Sequence, residues 1–159
     1  MTNYELLIEE AFDKGLSVKE KPLYGSDGRI KGRRIAIRQD IGTQREKACV
    51  LAEELGHHYT SSGNILDQTR TEHVKQEQRA RMWAYNKQIG LVGIIDAYKR
   101  DCRNLHEMAD YLDVTEEFLR DALEAYRSKY GHYVIVDNYI IYFEPYLTVA
   151  DFNYHDTDE

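Results

Sequence analysis

Between Tyr4 and Lys14 the apolar residues Leu7, Ile8, Ala11 and Phe12 recur at helical spacing, which predicts an amphipathic helix ended by Gly15. Leu16 to Leu23 reads as a short extended segment. Arg29 to Gln39 alternates around Ile30, Ile35 and Ile37, as strand material does, with Gly25, Gly28 and Gly32 allowing turns about it. Thr43 is a predicted N-cap, and Glu46 three residues on completes a capping box for a helix to about Thr60. On that helix Ala48, Leu51, Ala52, Leu55 and Tyr59 form one apolar stripe, and Val50, Glu53 and His57 fall on the opposite side. Ser61 to Arg70 reads as a loop.

A second helix is predicted over Glu72 to Gln88, with Glu77, Ala80 and Ala84 on one stripe beside Trp83. Small residues there allow another helix to approach closely. Leu91 to Tyr98 continues as a helix or a bent segment. Leu105 to Ser128 is helical in two pieces. Leu105, Met108, Ala109 and Leu112 face inward on the first; Phe118, Leu119, Ala122 and Tyr126 do so on the second, which starts at Thr115 and stops at Gly131. Tyr133 to Phe143 reads as a strand or hairpin around Asp137-Asn138. The acidic tail after Leu147 is expected to fray.

Composition narrows the class. The chain has 159 residues, 42% hydrophobic and 31% charged, as in a soluble globular protein. Two cysteines, Cys49 and Cys102, suggest neither a zinc ribbon nor a disulfide framework. No secretory leader and no membrane span is visible, so a cytoplasmic location is expected. The net charge of -7 argues against sequence-independent nucleic-acid binding, which needs a basic surface. Arg29, Lys31, Arg33, Arg34 and Arg38 form a local basic patch, read as a solvated hairpin face.

The candidate chemistry lies at Glu53-Glu54-Leu55-Gly56-His57, one residue away from the zinc-protease signature His-Glu-x-x-His. That signature places two ligands four apart on one helix face, beside a general-base glutamate. His57 and the base, Glu54, are present; Glu53 stands at the first histidine's place. Residues four apart are neighbours, so Glu53 and His57 could share a cation, with Glu77 as third ligand from the next helix. The residues alone leave a second reading open, of exposed helix carboxylates and ordinary polar histidines. Gly56 in mid-helix costs about 1 kcal/mol against alanine, which points to a packing or access role. Glu54 with His58 is a second pair at the same spacing, directed nearer the apolar stripe.

The run Ala48-Cys-Val-Leu-Ala-Glu-Glu-Leu-Gly-His57, followed by Glu77-x-x-Ala80-x-x-Trp83-Ala84, resembles the ImmA/IrrE family of metallo-endopeptidases over roughly residues 4 to 145. The later run from Leu105 to Leu119 resembles the helical segment of phage members. The resemblance implies an α+β fold: a zincin-like small antiparallel sheet, from about residues 16 to 40, packed on the motif helix, then a helical C-terminal segment and a final strand or hairpin. It implies a metallopeptidase-like core over 1–100, a helical segment and closing strand over 101–147 on the same domain, and an acidic tail over 148–159. It also implies a prophage-type, metal-dependent endopeptidase that cuts a helix-turn-helix repressor, or an impaired member that regulates by binding that partner. His57 and Glu77 would then be metal ligands and Glu54 the general base. Glu53 departs from the pattern. Two histidines and one glutamate leave a zinc site with net charge about +1, whereas one histidine and two glutamates leave about 0, so bound water should be less acidic. The carboxylate-rich set narrows the preference for Zn over Mn or Fe.

Two other patterns weigh less. Met108 to Leu119 has a helix-turn-helix cadence with Val114 in the turn, but its second helix opens with Thr115, Glu116 and Glu117, which phosphates repel. That favours helix packing or partner docking. Tyr130, Tyr133, Tyr139, Tyr142 and Tyr146 are expected in core and sheet packing.

Overall fold

The computed structural model describes residues 1–61 and 69–152. The fold is α+β: six helices and two three-stranded sheets among the described residues. Helix α1 spans Asn3–Asp13, followed by β1 (Ser17–Lys21), β2 (Gly28–Lys31) and β3 (Arg34–Arg38). The motif helix α2 covers Gln44–Thr60, and α3 covers Arg70–Gln88. Helices α4 (Gly90–Lys99), α5 (Leu105–Leu112) and α6 (Glu116–Tyr130) follow, then β4 (Tyr133–Val136), β5 (Tyr139–Tyr142) and β6 (Thr148–Asp151).

Short polar side chains set most helix starts. Thr2, Thr43, Thr69, Asn104 and Thr115 each accept a hydrogen bond from the backbone N–H three residues on, satisfying a donor the helix leaves free. Thr69 starts α3 at Arg70, two residues before the expected Glu72. The expected loop from Ser61 to Arg70 lies outside the described residues over 62–68.

The first sheet has the order β1-β3-β2. It was expected to be antiparallel and is mixed: β2 pairs antiparallel with β3, but β1 pairs parallel with β3. The reason is connectivity. The chain leaving β1 passes the place that β3 will fill and lays β2 on the far edge, and the tight turn at Gly32 (φ +62°) then brings β3 back between them. Ile35 and Ile37 of β3 are buried at 2% and 0% exposure, as the alternation predicts. The second sheet is an antiparallel meander, β4-β5-β6, with Asp137 left-handed (φ 51°) in the expected hairpin turn. Thr148–Asp151, expected to fray, instead pairs with β5. Backbone pairing, which side-chain pattern does not report, holds it there. Residues 153–159 lie outside the described residues.

One core joins both parts: Ile37, Leu51, Ile94, Leu119, Tyr126 and Ile141 belong to a single buried cluster. Four expected core positions stand out in solvent: Phe12, Tyr59, Tyr133 and Tyr146. Tyr59 stacks on Trp83 with ring centroids 5.1 Å apart, and Tyr133 lies across from Tyr142 at 6.1 Å. Both keep aromatic contact without full burial. The turn between α5 and α6 docks on the chain's own first helices. Val114 is fully buried, and Asp113 accepts hydrogen bonds from the Asn3 backbone N–H and the Arg45 guanidinium. No helix among the described residues is long and apolar enough to cross a membrane.

Candidate active site

Helix α2 buries Ala48, Leu51, Ala52, Leu55 and Gly56. Its other side is covered from two directions. Along β2, Gly28 sits against Val50 and Glu54: a Cβ on Gly28 would fall 2.8 Å from Val50 Cγ1 and 3.1 Å from Glu54 Oε1. Along α3, Gly56 meets Ala80 backbone to backbone. This second approach sets the key pair. His57 follows Gly56 and Glu77 precedes Ala80 by nearly one turn, and His57 Nε2 lies 3.3 Å from Glu77 Oε1. The imidazole is mostly buried, and the carboxylate is half exposed.

Glu54, one turn before His57, lies beneath the edge strand. Burial first, then the charges of Glu53 and Glu77, pushes its carboxyl up to about 7. Glu53 is also raised, by burial and by Glu77, Asp121 and Asp27, with Arg81 opposing. The charges of Glu53, on α2, and Glu77, on α3, thus both act on Glu54. Glu53 lines a hollow of about 320 Å3 together with Asp27, Arg38, Cys49, Phe118 and Asp121, which neither His57 nor Glu77 lines. His58 sets its ring edge-on to Tyr59 at 4.9 Å.

Two expected site residues, His57 and Glu77, are therefore brought together, with Glu54 one turn away. Glu53 is not gathered with them. Among the described residues, no three His, Cys, Asp or Glu side chains group so as to hold a metal ion. The donor chemistry fits a divalent cation at two points: tetrahedral ligands at about 2.0–2.1 Å from zinc stand roughly 3.3 Å from one another, the spacing of His57 and Glu77. It does not fit at three.

Two contributors were missed in the sequence. Gly28, read as a turn residue, is the strand position that leaves room for Glu54. Arg81 stands four residues after Glu77, with Nε 4.0 Å from its carboxylate, and its charge also reaches Glu53. Its helical spacing from Glu77 was the available signal.

No curated protein matches the chain. A peptidase family model, the IrrE N-terminal-like domain, matches residues 13–124, more than two thirds of the sequence and all of the site just described. The chain thus belongs to the ImmA/IrrE family, and is a metallopeptidase-like member of it.

Proposed function

We propose that this protein is a metal-dependent endopeptidase of the cytoplasm, of prophage type, acting on a helix-turn-helix repressor. The observation that carries the reading is the α2–α3 contact that sets the His57 imidazole against the Glu77 carboxylate, with Glu54 beside them under β2. His57 and Glu77 would hold the cation, zinc or, with this carboxylate content, manganese or iron. When bound, the cation would supply activation of water and stabilisation of a developing oxyanion. Glu54 is the group that would accept a proton from water and return it to the leaving amine. Strand β2, as an edge, offers backbone groups to an extended peptide laid along it. The repressor is the finer part of the reading. The likeness of the Leu105–Leu119 run to the helical segment of phage members supports it.

A second reading has its own observation: Glu53 replaces an imidazole and does not join His57 and Glu77. On that reading the protein is catalytically impaired and regulates its repressor by binding.

Calorimetric titration with Zn²⁺ and Mn²⁺, alongside a cleavage assay on a phage-type helix-turn-helix repressor, separates the two. The first reading expects one metal per chain, lost in Glu77→Ala, and repressor cleavage lost in Glu54→Gln. Repressor binding without metal uptake or cleavage rejects it in favour of the second. In Glu53→His, zinc affinity should rise. Unchanged affinity places residue 53 outside the ligand set.

A further inference from the structure

The outer face of the first sheet is a cation array. Alternation puts Ile35 and Ile37 inward, so the other side chains of β3 point to solvent together with their register partners. Lys19 and Arg29 flank Ala36 on either side, and Lys31 lies directly across from Arg34. Lys21 extends the row along β1. All five cations are exposed. They line a hollow of about 390 Å3 whose floor is the small Ala36.

Among the described residues, no carboxylate compensates them. Glu20 lies between Lys19 and Lys21 in sequence but points to the opposite face, where it bonds Lys47 and Tyr4. Asp27 and Asp40 both engage Arg38. Among the described residues none of the five cations has an ion-pair partner. Like charges directly opposite in a sheet are destabilising, so Lys31 across from Arg34 costs stability in the isolated chain. In a protein of net charge -7, five such groups on one face call for an outside anion.

We propose that this face docks an acidic, extended segment of a protein partner. The match is one of repeat as well as charge. Alternate residues of an extended strand stand about 6.6–6.8 Å apart, and so do cations two apart on β1 and β2. Carboxylates at every second position of such a segment would meet them in step. Nucleic acid is the poorer fit. Among the described residues, the lining of the hollow carries no aromatic ring for bases to stack on, and the chain's overall negative charge repels a long polyanion. The surface lies on the side of the sheet away from α2, so the proposal stands whether or not His57 and Glu77 hold a cation.

The test is fluorescence anisotropy of the full chain with labelled decaglutamate, and in parallel with a labelled DNA duplex. Binding of the peptide at low salt is expected, weakening about tenfold or more when the Debye length shrinks from roughly 14 to 5 Å. The triple variant Lys19→Gln, Arg29→Gln, Arg34→Gln should lose a further tenfold or more. The triple variant Lys75→Gln, Arg79→Gln, Arg103→Gln, which makes the same change in net charge elsewhere, should bind as the parent does. If the first variant does not fold, the pair Lys21→Gln, Lys31→Gln reads the same face. No peptide binding at low salt, or equal losses in both triple variants, overturns the proposal. Tighter binding of the duplex than of the peptide overturns the assignment of a protein partner.

Discussion

Gly56 and Ala80 meet so closely that a Cβ on Gly56 would lie 2.2 Å from the Ala80 carbonyl oxygen. The obstacle is backbone, so no rotamer change relieves it. Gly56→Ala should therefore reverse the usual sign of such a change. In an ordinary helix interior it would gain about 1 kcal/mol. Here overpacking of about 1–3 kcal/mol outweighs that gain. Denaturant unfolding should show a net loss, and the variant should lose whatever metal affinity depends on the His57–Glu77 pair. The contrast is Gly93→Ala in α4, whose Cβ would meet the tip of Leu112 at 3.3 Å. That tip can move, so the change should be neutral or mildly stabilising.

Helix starts offer a second check. Thr43→Ala and Thr115→Ala each remove the side-chain acceptor of one backbone N–H, on Glu46 and Phe118 respectively. Each should cost about 0.5–2 kcal/mol by chemical denaturation. Thr→Asn at either place should restore most of it, since asparagine also caps.

Acid stability should report Glu20. Its hydrogen bond from Lys47 holds its carboxyl below the usual range, aided by one from Tyr4 and opposed by burial. A depressed folded-state pKa means the contribution is complete above the unfolded value and lost as pH falls through the folded one. The acid limb of a stability–pH curve, below about pH 4.5, should therefore be shallower in Glu20→Gln than in the parent. An identical limb in both would remove this ion pair from the account.

Thiol labelling separates the cysteines. Burial, the largest cause, pushes the Cys49 thiol up to about 11, and the residue is 7% exposed. Cys102 is half-buried, and burial raises its thiol too. Since the thiolate is the reactive form, iodoacetamide at mildly alkaline pH should modify Cys102 first, and Cys49 only on unfolding. Mass spectrometry of the native protein reads the order.

Much of this was legible in the sequence because it is local. Helical spacing in α1, α2 and α6 and the capping threonine of α2 need only neighbours within a turn or two. The Asp137 hairpin is local in the same way. The motif residues were visible for that reason, and so was the expectation that Gly56 answers to packing. What failed was set by distant chain. The parallel pairing of β1 with β3 depends on which side of β3 the intervening segment passes, and β6 depends on an available edge of β5. The exposure of Phe12 and Tyr59 depends on which neighbours reach them.

By itself the sequence determined the helices, the apolar faces that pack, and the identity of the polar groups on α2 and α3, since each follows from short-range periodicity and residue chemistry. Only the tertiary structure decided that His57 meets Glu77 while Glu53 lines a hollow shared with Asp27 and Asp121, and that five cations share one sheet face. Those outcomes follow from helix approach and strand register, which are fixed by contacts between segments far apart in the chain.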